Sequence, residues 1–544
     1  MLSEIFTNKD FFGRAEQLNI LKERVKSFNS GFRQNVAILG RPLIGKTFLI
    51  HSFFPYILSE HIIPVYVQVQ EEPFDFFAQR FCGSLLYQYL KFNDPDSKKD
   101  DLKILIKNSR KPLPKTINEI EKLTELINKK DFDSAYDILL NLTLTVEADS
   151  GQKCAVIIEE FDKLANYKLK QPFSVLGKKI MGQRNTFYVV TSSTINRAKQ
   201  ILREDLQLLF GNFETLELKE FDFATSKSFL SSRLASYNVA DKHLRFLIGF
   251  TEGNPFYLTA ISSKLKELLL ETKKRKVTTV LLERSIGDVL FNPHGQLNQH
   301  FTNVIYRHCI NKNGVDILSI LVSISEGNYK LQSLAVSSGN SYKELSATIS
   351  DLQNGGLIER TGVFNRVADM PLRFWLKSVC YKKRINFGLD PSFTEKTFIA
   401  NIKKISADFA KESKKDLYEK ITDLLKTFSD EIVEIDQKRC RLPRFSDVSI
   451  RIIGENGPYI IGRAKGGNWI FQIRERKISE KNILDFLKDS KVGKYKFQHK
   501  VLIVLNGMDE NAKLLAKDND IWVLDLNAVN LLLDLYGKHK VIIY

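Results

Sequence analysis

The stretch Asn35-Val-Ala-Ile-Leu39, then Gly40-Arg41-Pro42-Leu43-Ile44-Gly45-Lys46-Thr47, then Phe48-Leu-Ile-His-Ser-Phe-Phe54, decides the fold of this chain. Its first part is short, rich in β-branched residues and apolar without alternation, the pattern of a strand buried on both faces. The last part has the spacing of a helix. Between them stands G-x-x-x-x-G-K-T, the phosphate-binding loop pattern in the strand–loop–helix setting that gives it meaning. The two glycines let backbone amides curl around phosphates, and the helix N-terminus adds a fixed positive field. Lys46 would reach the β and γ phosphates, and the Thr47 hydroxyl would hold Mg²⁺. Gly40, Arg41, Pro42, Leu43, Ile44, Gly45, Lys46 and Thr47 are therefore candidate nucleotide-binding residues, with ATP and Mg²⁺ as the expected cofactors.

Outward from this loop, the first third of the chain alternates apolar runs with helix-length segments. Ile62–Val69, Ala155–Ile158 and Phe187–Thr191 join Asn35–Leu39 as expected strands of a parallel α/β sheet. An insertion at about 93–153 separates the second from the third, with exposed charged connectors and helices at INEIEKLTELI and SAYDILLNLTL. The third strand runs into Glu159 and Glu160, the Walker B pattern of an apolar strand ending in two acids. Glu159 would support the metal and Glu160 would polarise the attacking water. A Glu stands at the first position where Asp is usual, one methylene longer; two plain surface acids are the alternative reading. Thr191, followed by Ser192-Ser193, ends the fourth strand where a γ-phosphate sensor would lie.

Composition sets the outer limits. With 544 residues, the chain has room for three or four domains. It is 43% hydrophobic and 27% charged, which excludes a disordered or fibrous protein. Lys plus Arg exceed Asp plus Glu by 81 to 64, a formal charge of +17 that favours a polyanionic partner, DNA above all, over a merely solvated basic surface. The five cysteines are scattered without metal-ligand spacing, as suits a reducing cytoplasm. No signal-peptide core and no run of about 18 apolar residues occurs, so no membrane partner is expected.

Beyond Phe221 the strands give way to amphipathic helices. GVDILSILVSI, KLQSLAVSSG and SYKELSATISDLQ, followed by a Gly-Gly break and LIERTGVFNRVAD, outline a winged helix. Its recognition helix at 341–353 carries only Lys343, and its wing only Arg360 and Arg366, thin for a DNA reader; packing against a neighbour is the competing use. Basic clusters recur at Lys382-Lys383-Arg384, at 437–444, and at 491–500, where Lys491, Lys494, Lys496 and Lys500 interleave with aromatics. A charged helical stretch runs from about Phe393 to Ile435, and the last hundred residues return to strands alternating with helices.

These residues carry a family resemblance. FFGRAEQLNIL, GRPLIGKT, VIIEEFDKL, VVTSSTINRAKQIL, LLFGNFETLELKEF and TEGNPFYL, spanning Phe11 to Leu258, resemble the archaeal-type ATPases of the STAND branch of P-loop NTPases, relatives of the AAA+ origin-recognition initiators. The resemblance implies that Phe12, Gly13 and Arg14 line the adenine pocket and that Pro255, in Gly253-Asn254-Pro255, belongs to a helical lid. Two departures stand out: Ser192-Ser193 where relatives often have Gly-Ser, and Gly211-Asn212 where they usually have Gly-Arg, which implies slow hydrolysis or an Arg supplied by another element. ADMPLRFWLKSV matches the segment that follows the winged helix in this family.

GPYIIGRAKGGNWIFQIRERK resembles the core of a restriction-endonuclease-like domain. An active member would place an acid near Ile460 and E/Q-x-K where Gln472-Ile473-Arg474 stand. Ile460 cannot ligate a metal and Arg474 stays protonated, so the domain is expected to be degenerate, with Glu475 and Asp447 the only nearby acids. The expected architecture is an α/β P-loop core at 1–225, a helical lid at 226–300, a winged helix at 301–378, a helical connector at 379–440 and the nuclease-like α/β domain at 441–544. The leading function is a cytoplasmic ATP-binding, slowly hydrolysing switch acting on DNA or a protein partner, with oligomerisation possible. An ATP-gated nuclease and a scaffold without nucleic acid are its competitors.

Overall fold

The computed structural model describes residues 11–98, 100–206, 213–309, 316–339, 341–367, 369–380, 391–435, 438–454, 457–491 and 496–541. The chain divides into two units, Met1–Glu220 and Phe221–Tyr544.

The first unit is built on strands β1 (Asn35–Gly40), β2 (Ile63–Gln68), β3 (Cys154–Glu159), β4 (Thr186–Ser192) and β5 (Phe213–Leu218). They form one parallel sheet in the order β2-β3-β4-β1-β5. β1, β3 and β4 are buried throughout, which is why their sequences lack a polar alternation. Side chains alternate between two cores. Val36, Ile38, Ile157 and Val189 pack with helices Ala15–Asn29 and Lys46–Ser59 on one face. Ala37, Leu39, Val156, Ile158 and Val190 pack on the other with helix Phe74–Asn93 and the insertion.

The insertion is three helices, Leu102–Ser109, Pro114–Asn128 and Phe132–Ser150, rather than two. The extra one follows the charged connector and buries Leu105 in the second core. Leu113, Ile117, Ile120, Leu123, Leu139 and Leu142 extend that core at helical spacing, so the insertion thickens one layer of the sandwich. A five-stranded parallel sheet flanked by helices, with the glycine-rich loop at the end of its β1, is the P-loop NTPase fold.

The second unit begins with helices Phe223–Arg233, Asp241–Thr251, Pro255–Glu271, Thr279–Leu290 and Gln296–Cys309. Three shorter helices, Ile317–Ser325, Leu331–Ser338 and Tyr342–Asn354, precede a hairpin of β6 (Ile358–Thr361) and β7 (Phe364–Val367). Ser341 and Glu344 form a reciprocal capping box that starts the third of these helices. The hairpin tip is held down: Val363 N donates to Ile432 O at 3.1 Å. Gly362, at φ +64°, approaches the same strand so closely that a Cβ there would lie 2.1 Å from that oxygen.

Helices Pro391–Glu412 and Leu417–Leu425 follow. The charged stretch expected to be helical as far as Ile435 becomes strand at β8 (Glu431–Ile435), paired antiparallel with β9 (Lys438–Leu442). The reason is period: Glu431-Ile-Val-Glu-Ile buries every second residue. The last sheet contains β10 (Phe445–Ile452), β11 (Pro458–Ala464), β12 (Gly467–Arg474), β13 (Phe497–Val504) and β14 (Ile521–Asp525), in that order. Its first three strands are antiparallel, and β12–β13–β14 are parallel. No helix among the described residues is long and apolar enough to cross a membrane.

Candidate functional site

The sheet order of the first unit places β4 between β1 and β3, so three strand ends meet: the glycine-rich loop, Glu159-Glu160, and Thr191-Ser192-Ser193. Gly40 ends β1 under the loop. A Cβ there would lie 2.8 Å from Ile44 Cγ2 and 3.0 Å from Leu218 O, so only glycine lets the loop fold back over β5. Gly45 has φ 100° and caps helix Lys46–Ser59, a conformation that favours glycine. Leu43 also adopts a positive φ, 62°, and is exposed beside Pro42. The first-turn N–H groups of the helix face out from its N-terminus, as an anion site requires.

Lys46 is buried at 5% exposure. Its ammonium donates to Gly40 O at 2.8 Å, Arg41 O at 3.2 Å and Ser193 Oγ at 2.7 Å, and lies 3.7 Å from Glu160 Oε1. Burial pushes its pKa below the usual lysine value, and the charges of Glu160 and Glu159 oppose that shift.

Thr47 Oγ1 donates to Glu159 Oε1, and Tyr66 OH donates to Glu159 Oε2. Glu160 begins the turn after β3 with φ 57°, a strained position for a side chain and one of the marks of a working strand end. Its carboxylate accepts from Ser193 Oγ and, at 3.0 Å, from Ser193 N. Thr191 is fully buried, and its hydroxyl accepts from Glu160 N at 3.4 Å. The hydroxyl of this strand end that faces the lysine is therefore Ser193, not Thr191, which instead supports the backbone of Glu160. Asp162 adds a third buried acid, its pKa raised by burial against the lowering effect of a hydrogen bond with Ser192.

Arg14 is buried, its guanidinium donating to Ile44 O at 3.3 Å and to Lys219 O. It thus ties the loop to the end of β5, with burial holding its pKa below the usual value. Phe12 is part-exposed and Gly13 has φ 69°; the neighbouring Phe11 stacks on Phe48 at 6.0 Å. Arg41 pairs with Glu220 at 3.4 Å. Pro255 belongs to the second unit, as the first residue of helix Pro255–Glu271, whose N-cap Asn254 accepts from Phe256 N and Tyr257 N. Gly211 and Asn212 lie outside the described residues.

Residue types at this site fit Mg²⁺. Thr47 and Glu159 supply hard oxygen donors beside the phosphate loop, and no cluster of three or more His, Cys, Asp or Glu among the described residues could hold a metal by itself. A cation here would share its coordination with phosphate oxygens, as nucleotide sites do. Tyr66 and Asp162 carry no site signal in the sequence, because a role for either depends on which strands are neighbours; Ser193 is legible only as part of Thr191-Ser192-Ser193, with Thr191 the residue singled out there.

The second sheet holds a different polar cluster. Gln472 Nε2 donates to Tyr459 OH at 3.0 Å, and Tyr459 OH donates to Asp489 Oδ2 at 2.6 Å, all three side chains buried. Register corrects one sequence expectation. Ile460 pairs with Phe471 and packs in the apolar core on their face of the sheet, whereas the residue opposite Gln472 is Tyr459. The position from which an acid could join Gln472 and Arg474 is therefore 459, one residue earlier and on the other face.

No family model matches this chain, and no curated protein does. Among solved structures, the Walker-type ATPase paby2304 of Pyrococcus abyssi is similar at 15% identity and TM-score 0.46, over 69% of this chain and 99% of that one. The ORC2 protein of Aeropyrum pernix is similar at 13% identity and TM-score 0.42, over 75% of this chain and 97% of that one. The RuvB Holliday junction branch migration motor of Thermotoga maritima is similar at 13% identity and TM-score 0.35, over 72% and 100%. The class of this protein, a P-loop NTPase fold with a complete phosphate loop, rests on its own strand order and loop geometry.

Proposed function

We propose that the chain is an ATP-binding, slowly hydrolysing switch of the archaeal-type STAND group. The observation that carries this reading is the convergence of three strand ends: a buried lysine and a hydroxyl after β1, two carboxylates at the end of β3, and the Ser193 hydroxyl after β4. In this reading phosphate displaces the Gly40 and Arg41 carbonyls and Ser193 from Lys46. Release of Ser193 frees Glu160 to accept a proton from the attacking water, and Ser193 becomes the γ-phosphate sensor. Thr47 and Glu159 would hold Mg²⁺, which would neutralise charge on the β and γ oxygens. Phe12, Gly13 and Arg14 carry the adenine side of the pocket, and Pro255 opens a lid helix.

The helices between 317 and 354 with hairpin β6–β7 are read as a winged helix, and the last sheet as a degenerate nuclease-like domain. Two observations favour packing over DNA reading for the wing. Its tip is bonded to β8, and Arg366 is engaged by Glu359 and Asp534. DNA contact is then left to the basic C-terminal surface, where Lys491 and Lys496 are exposed while Lys500 donates to Asn519 O at 3.1 Å. Lys382, Lys383, Arg384, Gln437 and Lys494 lie outside the described residues.

Calorimetry of ATP, with DNA binding measured in its presence and absence, tests this function. The reading expects saturable ATP binding and a change in DNA affinity on adding it. DNA affinity indifferent to ATP would favour the scaffold without nucleic-acid control, and Mg²⁺-dependent cutting would favour the ATP-gated nuclease.

A further inference from the structure

The departure from Asp to Glu at the first acid of the Walker B pair has a counterpart on the neighbouring strand, β2. Tyr66 on β2 stands level with Ile157, and Gln68 level with Glu159, in the parallel β2–β3 register. Side chains at 66 and 159 thus share the face that carries helix Lys46–Ser59, and a phenol set two residues back along that face reaches the carboxylate at the strand end. The Tyr66 ring is fixed there by His51 at 5.6 Å and Phe54 at 6.0 Å. Its hydroxyl donates to Glu159 Oε2 while Thr47 Oγ1 donates to Oε1, so both oxygens of a carboxylate only 3% exposed are held.

An extra methylene adds one freely turning bond, and a glutamate left to itself would spread over several rotamers. A hydrogen bond to a charged acceptor is among the stronger ones in a protein, and in this buried place it selects a single orientation.

We infer that Tyr66 is a positioning residue for the metal-binding carboxylate, and that Tyr66 and Glu159 form a matched pair replacing the shorter aspartate. The inference rests on the ATP and Mg²⁺ reading of this site. Tyr66 touches neither phosphate nor the reacting atoms; it acts through Glu159 alone.

The test is a double-mutant cycle on the full chain, read by calorimetry of ADP and ATP at a series of Mg²⁺ concentrations. Tyr66→Phe keeps the ring and its packing, so the chain should still fold, with thermal unfolding lowered only by the one lost hydrogen bond and metal-free nucleotide affinity retained. The Mg²⁺ concentration for half-maximal enhancement of binding should rise about tenfold, the lower end of what outer-sphere partners of a metal site contribute. Glu159→Asp, too short to reach Tyr66, should show the defect by itself, and adding Tyr66→Phe to it should cost nothing further. An unchanged Mg²⁺ midpoint in Tyr66→Phe, or penalties that multiply in the double variant, would overturn the pairing while leaving nucleotide binding intact. Wild-type chain that binds no nucleotide would overturn the pairing and the underlying reading together.

Discussion

The two five-stranded sheets of this protein each gather polar side chains near the ends of central strands, and they treat them in opposite ways. In the first, Lys46, Thr47, Glu159, Glu160 and Ser193 satisfy one another through contacts that a phosphate and a cation could exchange. Charge is abundant there and held at the mouth of a loop whose amides face outward. In the second, Gln472 donates to Tyr459 and Tyr459 to Asp489, the single acid, while Gln472 Oε1 is buried without a hydrogen-bond partner among the described residues; Ile470, Ile483 and Phe486 wall the cluster. The difference teaches that a site for a charged ligand gathers several charges with replaceable partners, whereas the second cluster holds one acid in a short chain of neutral donors.

The largest expected effect falls on the first sheet. Lys46→Ala should lower ATP affinity on the order of a hundredfold or more, since it removes the buried ammonium that the proposed function sets against the phosphates. The fold should survive, because the variant also removes a buried charge that desolvation disfavours. Unchanged affinity by calorimetry would break the comparison at once. Glu160→Gln comes next: nucleotide binding kept, hydrolysis slowed by about tenfold to a thousandfold, the range for a lost general base. Single-turnover rates equal to wild type would move that role to Asp162 or elsewhere.

Predictions for the second unit concern stability. Ile460→Asp should destabilise by about 3 kcal/mol or more in urea melts, because it places a carboxylate in the apolar core around Phe471. The unmodified chain should not nick supercoiled plasmid with Mg²⁺ or Mn²⁺, and Ile460→Asp with Arg474→Lys should not restore cutting, since position 460 faces away from Gln472. Tyr459→Asp with Arg474→Lys is the pair that puts acid and lysine on one face; cleavage by the unmodified chain would erase the contrast between the sheets.

The smallest effect is at Glu252, whose side chain is 13% exposed and bonded to Lys540 at 2.6 Å, with Arg373 at 3.7 Å. The charges of Lys540 and Arg373 hold its pKa below the ordinary glutamate value near 4.5, against the upward pull of burial. A depressed carboxyl contributes stability that is present above the unfolded value and lost as pH falls through the folded one. Glu252→Gln should therefore lower stability at pH 7, and the gap between wild type and variant should narrow as pH falls below about 4.5. A gap independent of pH would show that the ion pairs contribute nothing there.

Legibility in the sequence follows the range of the interaction. Gly40, Gly45, Lys46 and Thr47 are read directly because strand, loop and helix are consecutive and their spacing is the mechanism. Glu159 and Glu160 are read from the end of one apolar run. Tyr66 is not, and Ser193 is read only as one of three polar residues ending a strand, since their meaning depends on β2 flanking β3 and on β4 lying between β1 and β3, which no local pattern encodes. Position 460 shows how narrow the margin is. The strand was legible and the residue almost so, yet a shift of one along a strand exchanges the two faces. The β8–β9 hairpin was hidden by charge, its alternation too short to outweigh the helical residues before it.

The central claim is that the glycine-rich loop binds nucleotide through its phosphates. Isothermal titration of the full chain with ATP, ADP and adenosine in Mg²⁺ tests it most directly. The account predicts one-site binding of ATP and ADP, and adenosine weaker by at least about a hundredfold, because Lys46 and the loop amides contact phosphate alone. Equal affinity for adenosine, or no binding of any of the three, would contradict it.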